Sequence, residues 1–221
     1  MKTYLITGTN RGIGKELCKQ VHSKGNKVIA ACRQSDGELE SLGISVETGV
    51  DITSEKDVTN LVNRLQGVKL DVLINNAGIV ERERNYLDDL DFDSIRRQFE
   101  VNAIGALRLT HALLPLMESG SKIAIITSRM GSIDDNTSGG SYGYRMSKVA
   151  VSMAGKSLSL DLKPRGIAVA ILHPGFISTR MTNFTGKPPA EAAENLLARI
   201  DELNLENTGT FWHANGEILP W

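Results

Sequence analysis

The sequence predicts an α/β fold in which helices cover both faces of a doubly wound parallel sheet of about seven strands. Two observations support this prediction. Short apolar, β-prone runs alternate with segments of helical periodicity along the whole chain. The first strand-to-helix connection, residues 7–14, is rich in glycine and reads Thr-Gly-Thr-Asn-Arg-Gly-Ile-Gly. The length of 221 residues favours a single domain, 1–221.

Each element is placed by its own pattern of apolar residues. Strands are predicted at 3–6, 27–32, 44–50, 70–74, 122–127, 167–172 and 210–212. Helices are predicted at 15–21, 55–65, 93–117, 141–162 and 190–203. In the long helix 93–117 the predicted buried stripe consists of Ile95, Phe99, Asn102, Ala106, Leu109 and Leu113, and Pro115 marks a bend or the approaching end.

The composition excludes several classes of protein. The chain has 25 basic and 26 acidic side chains, which gives no electrostatic case for binding nucleic acid or an anionic membrane. No apolar run reaches the ~18 residues that span a bilayer. The first strand begins directly after Met1 and Lys2, which leaves no room for a signal peptide, so a cytoplasmic protein is expected. Cys18 and Cys32 are expected to be free thiols, and the four scattered histidines predict no metal site.

The glycine-rich connection is a candidate phosphate site. Gly8, Gly12 and Gly14 allow a ligand to approach the main chain, and the helix that follows directs its free N–H groups at the turn. A tight turn without any ligand is the alternative. Arg33 follows the second strand, where a site for NAD would place a carboxylate, and Arg11 lies inside the turn. Two guanidiniums there favour the 2′-phosphate of NADP(H) over two solvated side chains.

Polar residues at strand ends form a second set of candidates. Asp51 follows the third strand and lies next to a predicted helix start, where Thr53 or Ser54 can cap the helix. The amides of Asn75 and Asn76 need partners, either in the sheet or in a ligand. Ser128 ends the fifth strand, at the edge of a parallel sheet where ligands bind.

The helix 141–162 contains a phenol and an amine four residues apart. Tyr144 and Lys148 therefore share one helix face. Tyr142 is the rival phenol, but position 146 is Met, so Tyr142 is assigned to the wall of the substrate site. Asn102 is polar within an apolar stripe, so it is either a structural pin or part of a site.

Five separated motifs in this order resemble the short-chain dehydrogenase/reductase family over essentially the whole chain. They are Thr7-Gly8-x₃-Gly12-x-Gly14, Asn75-Asn76-Ala77-Gly78, Ser128, Tyr144-x₃-Lys148 and Pro174-Gly175 with Thr179. The short length, the Tyr-Gly-Tyr-Arg-Met-Ser-Lys run and the ending look most like the C-factor and sniffer-type carbonyl reductases. The resemblance implies a Rossmann fold and an oxidoreductase that uses NADPH/NADP⁺.

The resemblance also assigns roles to residues. It implies Tyr144 as general acid/base, Lys148 lowering the phenol pKa and holding the ribose, Ser128 orienting the carbonyl and Asn102 in a proton relay. The implied cofactor-binding residues are Gly8, Asn10, Arg11, Gly12, Ile13, Gly14, Arg33, Asp51, Ile52, Asn75, Ala77, Gly78, Tyr144, Lys148, Pro174, Gly175, Ile177 and Thr179.

The function expected from this pattern is reduction of a small ketone or aldehyde by NADPH. A C-factor-like signalling protein with little turnover and a β-ketoacyl reductase remain as alternatives.

The segment 181–189 is short, which predicts an open substrate pocket. Tyr144 follows Ser128 by sixteen positions, a few more than is usual in the family, and the extra residues 134–137 are expected to form a loop beside the pocket. By family analogy a homo-oligomer, dimer or tetramer, is expected through helices 93–117 and 141–162. The charge run 81–84 is expected in a solvated loop.

Overall fold

The fold is taken from a computed structural model, which describes residues 1–81, 87 and 90–221. The strands are β1 Thr3–Thr7, β2 Lys27–Ala31, β3 Ser45–Glu47, β4 Val72–Asn75, β5 Lys122–Ile126, β6 Ala168–His173 and β7 Phe211–His213. They form one seven-stranded sheet of order β3-β2-β1-β4-β5-β6-β7, and all six neighbouring pairs are parallel. The order reverses direction beside β1, so β1 and β4 flank the crevice in which ligands of such sheets bind.

Helices cover both faces of the sheet. They are α1 Gly12–Ser23, α2 Glu38–Ser41, α3 Glu55–Arg64, α4 Phe92–Phe99, α5 Ala106–Leu113, α6 Tyr142–Leu162 and α7 Pro189–Glu202. Along β1, Tyr4 and Ile6 pack against α1 and α7, whereas Leu5 points to the opposite face and packs against α3, α5 and α6. This alternation buries apolar side chains on both faces, and it confirms the doubly wound prediction.

The predicted helix 93–117 is interrupted by a wider turn. A π-helical turn, Glu100–Gly105, separates α4 from α5. The helical segment ends in a 3₁₀ turn, Leu114–Leu116, which contains Pro115. An extra residue in a π turn rotates one half of the helix relative to the other. Upstream of it, Ser94 and Gln98 are the buried residues, whereas Ile95 and Phe99 are only half-buried. The stripe was therefore predicted wrongly for Ile95 and Phe99, and correctly from Asn102 onward.

The edges of the sheet differ most from prediction. The third strand was expected over 44–50, but β3 spans only Ser45–Glu47 because the chain turns at Gly49, whose φ is +69°. The short helix α2 was not predicted. Of the charge run, Glu81 pairs with Arg97 at 2.6 Å, and residues 82–84 lie outside the described residues. Among the helices that the structure describes, none is long and apolar enough to cross a membrane.

Candidate active site and dinucleotide cavity

A cavity of about 850 Å³ lies beyond the carboxyl ends of the central strands. It brings together most of the residues that the sequence nominated. These are Gly8, Asn10, Arg11, Gly12, Ile13, Gly14, Arg33, Asp51, Ile52, Ala77, Gly78, Tyr144, Lys148, Pro174 and Thr179. The nominated residues that are not on its wall are Asn75, Asn102, Ser128, Gly175 and Ile177.

The glycine turn between β1 and α1 is tightly folded. Gly8 and Gly12 have φ values of +69° and +57°, a region that favours glycine. Gly14 is required for a different reason, because a β-carbon there would lie 2.3 Å from the carbonyl oxygen of Gly8. The main chain of the turn therefore forms part of the cavity wall, and α1 begins at Gly12 with its free N–H groups at that wall.

Two side chains, those of Asn76 and Thr7, hold the glycine turn in place, and both residues line the cavity. The Asn76 amide donates to the carbonyls of Thr7, at 2.9 Å, and Gly8, at 3.3 Å. The Thr7 hydroxyl accepts from the backbone N–H groups of Asn76 and Ala77, each at 3.0 Å. These hydrogen bonds join the end of β4 to the end of β1. They therefore hold together the two strands that flank the cavity.

Asn75 lies in a different environment from the one predicted by its nomination as a cofactor residue. Its side chain is 4% exposed and donates to the Thr110 hydroxyl at 2.9 Å, so it connects β4 to α5. Strand geometry explains the difference, since neighbouring residues of a strand point to opposite faces. Asn75 faces the helix layer, whereas Asn76 reaches the glycine turn. Of the two predicted alternatives for Asn75, the structure places it as a brace.

One end of the cavity carries two guanidiniums. Arg11 and Arg33 both line it, and neither has an ion-pair partner within the described ranges. Asp51 lies nearby and accepts from the backbone and hydroxyl of Thr53 at 2.9 and 2.7 Å. Burial works to raise the pKa of Asp51, but these hydrogen bonds and the charge of Arg33 outweigh it and keep the pKa below its ordinary value. The helix cap is Ser54, which accepts from Asp57.

The other end of the cavity holds the Tyr144 phenol. Tyr144 is 9% exposed, and its hydroxyl lies 4.0 Å from the sulfur of Met181 and interacts with the Ser128 side chain. Lys148 is 5% exposed; its Nζ donates to the carbonyl of Ile126 at 3.0 Å and lies 5.7 Å from the centre of the Tyr144 ring. A phenol and an amine thus lie on one wall, and the Ser128 hydroxyl, which does not line the cavity, interacts with the phenol.

Close packing of α6 on the sheet sets this arrangement. A β-carbon at Gly131, just beyond Ser128, would lie 2.9 Å from the main chain of Lys148. The Thr127 hydroxyl donates to the carbonyl of Lys148 at 3.1 Å. Only a glycine allows the segment after β5 to lie this close to α6, so residue 128 is brought to the helix that carries residues 144 and 148.

Burial shifts the pKa of both catalytic candidates toward the neutral form. It raises the pKa of Tyr144 above its ordinary value, although the hydrogen bond with Ser128 acts in the opposite direction. It lowers the pKa of Lys148 to about 8. In the protein alone removal from water dominates both groups, and the lowering of the Tyr144 pKa by Lys148 stays a prediction for the complex with cofactor.

Asn102 lies in the π turn and is 2% exposed. Its Oδ1 accepts from the N–H of Ile79 at 2.8 Å, and its Nδ2 donates to the carbonyl of Ile79 and to Ser147, both at 2.9 Å. A β-carbon added at Gly78 would lie 3.2 Å from Asn102 Oδ1 and 3.5 Å from Lys148 Nζ. The lack of a side chain at Gly78 thus allows its main chain to lie close to both polar groups.

The segment after β6 forms the remaining wall. Pro174 and Thr179 line the cavity, and the methyl group of Thr179 lies 3.3 Å from where a β-carbon would be at Gly12. Ile177 is buried at 4% exposure behind this wall. The short segment that follows also contributes Met181, Asn183 and Phe184 to the wall, a set that sequence reasoning missed.

Tyr142 lies outside the main cavity. It borders a smaller one of about 430 Å³ together with Ile133 and Asn136, which belong to the longer loop between Ser128 and Tyr144. This loop is tied to the rest of the fold, since the N–H of Asp134 donates to the carbonyl of Trp221 at 2.9 Å and Arg129 pairs with Glu217 at 3.1 Å. Tyr142 therefore lines a second cavity rather than the one that holds Tyr144 and Lys148, and its assignment to the wall of the substrate site stays a prediction. Within the described part of the chain, no group of three acidic, histidine or cysteine side chains could hold a metal ion.

The donor set fits a dinucleotide. The glycine turn with the start of α1 is suited to a pyrophosphate, and the two guanidiniums are suited to a further phosphate at the Asp51 end. The phenol and amine lie at the opposite end of the same cavity. One elongated molecule can therefore contact all three regions at once.

Comparison with known proteins agrees with this geometry. Residues 2–189 match the model of the family described as short chain dehydrogenase. The chain is 43% identical to 1-hydroxy-2-glutathionyl-2-methyl-3-butene dehydrogenase of Rhodococcus sp. (strain AD45), with all of both chains covered. It is 44% identical to the C-signal protein of Myxococcus xanthus over 69% of this chain and 93% of that one. The NADPH-bound carbonyl reductase from chicken fatty liver superposes with a TM-score of 0.89 at 26% identity, covering 100% of this chain and 99% of that one.

Proposed function

The chain belongs to the short-chain dehydrogenase family, and on this premise we propose that it is an NADPH-dependent carbonyl reductase. The substrate is a small ketone or aldehyde, and the product is the alcohol. One domain, 1–221, holds the cofactor and carries the catalytic residues. The observation that carries the proposal is the buried Tyr144 hydroxyl, which lies on the cavity wall beside Ser128 and Lys148.

In this proposal Tyr144 is the proton donor. The bound nicotinamide supplies the hydride to the carbonyl carbon. Because the pKa of Tyr144 is raised, the phenol is protonated at neutral pH and can give its proton to the carbonyl oxygen. Ser128 donates a hydrogen bond to the same oxygen. The same groups serve alcohol oxidation when the proton moves in the opposite direction.

Lys148 has two tasks in the proposal. Its ammonium stabilises the phenolate that forms when Tyr144 loses its proton. One of its three N–H donors is used by Ile126, which leaves two for the ribose hydroxyls of the cofactor. Asn102 belongs to the proposed proton relay, in which a water would join it to Lys148 beside Gly78, a residue of the cavity wall.

The preference for NADPH rests on Arg11 and Arg33. Both line the cavity without an ion-pair partner within residues 1–81, 87 and 90–221, so both are available to a 2′-phosphate.

We also propose a homo-oligomer, because Ile104, Leu107 and Met153 on the outer sides of the π turn, α5 and α6 are 43–64% exposed. Light scattering would give a monomer mass if this last part is wrong.

The test is turnover with NADPH and with NADH across a panel of ketones, aldehydes and alcohols. The panel includes an alcohol with a glutathionyl group, for which the Rhodococcus relative is named. We expect the reduced cofactor to be consumed with several carbonyl compounds, and faster with NADPH. Tight NADPH binding without turnover on the whole panel would contradict the proposed activity.

A further inference from the structure

A cluster of ion pairs joins α1 to the segment after β2, the segment that carries Arg33 into the cavity wall. Lys15 of α1 contacts the carboxylates of Asp36, at 2.5 Å, and Glu38, at 2.8 Å. Lys19, one turn along α1, contacts the second carboxylate of the cluster, Glu38, at 2.5 Å. The two acids follow Arg33 by three and five residues, so the loop after β2 carries one cation into the cavity wall and two anions next to it.

The environment of Lys15 is unusual for a lysine. Only 9% of the residue is exposed, whereas the side chains of Asp36 and Glu38 are about half exposed. Burial acts to lower the pKa of Lys15, but the hydrogen bonds to the two carboxylates outweigh it, so the pKa lies above its ordinary value. The carboxyl groups of Asp36 and Glu38 have lowered pKa values, mainly through Lys15. All three groups are therefore charged at neutral pH.

Asp36 lies three residues beyond Arg33, and both Cys32 and Arg33 line the cavity. Burial is the main cause that raises the pKa of the Cys32 thiol, and the charges of Glu40 and Asp36 act in the same direction. Without their lysines, two carboxylates at this end would repel a 2′-phosphate and would accept hydrogen bonds from a ribose 2′-hydroxyl. In the folded protein Lys15 pairs with Asp36 and shares Glu38 with Lys19, which offsets both acids. Arg11 and Arg33 then supply the positive charge at this part of the wall.

We infer that Lys15 is a specificity-determining positioning residue, which neutralises Asp36 and Glu38 and so allows this loop to accept a 2′-phosphate rather than a 2′-hydroxyl. The inference rests on the proposed use of NADPH. It adds to Arg11 and Arg33 a residue that does not contact the cofactor and acts through the two acids. It also explains why a lysine is kept nearly buried in the first turns of α1.

The test compares the binding of NADPH and NADH to wild type and Lys15→Met by calorimetric titration. Methionine keeps much of the length of the side chain and removes its charge. In this variant Asp36 loses its partner, whereas Glu38 keeps Lys19. One unpaired carboxylate about one Debye length from the phosphate should weaken NADPH binding about fourfold at low salt. NADH binding should stay within about twofold, and the loss for NADPH should shrink at high salt. Lys24→Met, at the exposed end of α1, is the matched control and should leave both affinities unchanged.

A second variant separates charge from structure. Lys15→Met combined with Asp36→Asn and Glu38→Gln should regain most of the NADPH affinity, because no carboxylate is left to repel the phosphate. Asp36→Asn with Glu38→Gln alone should strengthen NADPH binding, which gives a result even if Lys15→Met fails to fold. Equal loss for both cofactors, or no recovery in the triple variant, would overturn the inference. If wild type bound NADH as well as NADPH, the proposed cofactor preference would fail instead.

Discussion

Gly14→Ala tests whether the glycine turn is the cofactor site. A β-carbon at this position would lie 2.3 Å from the carbonyl oxygen of Gly8 and 2.5 Å from the amide nitrogen of Asn76. Ordinary contacts begin near 3.4 Å. The obstacle at Gly8 is main chain, which cannot rotate away, so the turn must widen by about 1 Å.

The magnitude follows from two contributions. Forcing an added carbon into a packed site costs about 1–3 kcal/mol. The 3.3 Å hydrogen bond from Asn76 to Gly8 is lost when the carbonyl moves, at a further cost of about 1 kcal/mol. We expect the free energy of unfolding to fall by about 2–4 kcal/mol. Because the displaced main chain is the proposed pyrophosphate site, NADPH affinity should fall at least about tenfold.

The measurements are urea unfolding and NADPH titration of the folded variant. Gly155→Ala is the matched control, since its β-carbon would lie 2.8 Å from a side-chain carbon of Ile171, far from the cavity wall. The control should lose stability and keep its NADPH affinity. If Gly14→Ala also kept its affinity while losing stability, the turn would not be the phosphate site.

Two further predictions concern the Thr7 hydroxyl at the glycine turn and the buried imidazole of His173. Thr7→Val removes the hydroxyl that accepts from the N–H groups of Asn76 and Ala77, so the free energy of unfolding should fall by about 2 kcal/mol. A loss below about 0.5 kcal/mol would contradict the role of Thr7 in joining β1 to β4. The second prediction concerns His173, whose pKa is lowered to about 3 by burial, by the neighbouring His213 and by nearby cations. Below pH 6.5 the unfolded chain therefore binds a proton that the folded chain does not. The free energy of unfolding should fall as the pH drops from 6.5 toward 3. In urea unfolding, His173→Gln should reduce the difference in unfolding free energy between pH 6.5 and pH 5 by about 2 kcal/mol. The control His111→Gln, at an exposed position on α5, should keep the wild-type difference. An unchanged difference in His173→Gln would refute the lowered pKa of His173.

The parallel sheet could be predicted because its strands are buried on both faces and read as continuous apolar runs. The candidate residues at strand ends were also accessible, since the carboxyl ends of parallel strands meet at one edge of the sheet. Asn75 shows the limit of this reasoning. Two adjacent asparagines carry the same chemical signal, and only the pleat of β4 decides that one faces Thr110 and the other the glycine turn.

Features that depend on distant parts of the chain were not predictable. The π turn at Glu100–Gly105 shifted the buried face from Ile95 to Ser94, and no periodicity in the sequence marks such an insertion. The sequence places Lys15 at the start of a predicted helix and indicates no partner for it. Its pairing with Asp36 and Glu38 arises because α1 packs beside the loop after β2, 21 and 23 residues away.

The most direct test of the account is Tyr144→Phe, measured by NADPH titration and by turnover on the best carbonyl substrate. The variant removes one hydroxyl from a buried ring and leaves the cavity shape intact. We expect NADPH affinity within about twofold of wild type and a loss of turnover of at least about a hundredfold, because no other phenol lines that cavity within the described residues. A variant that kept its turnover would remove Tyr144 from the role of proton donor and contradict the account.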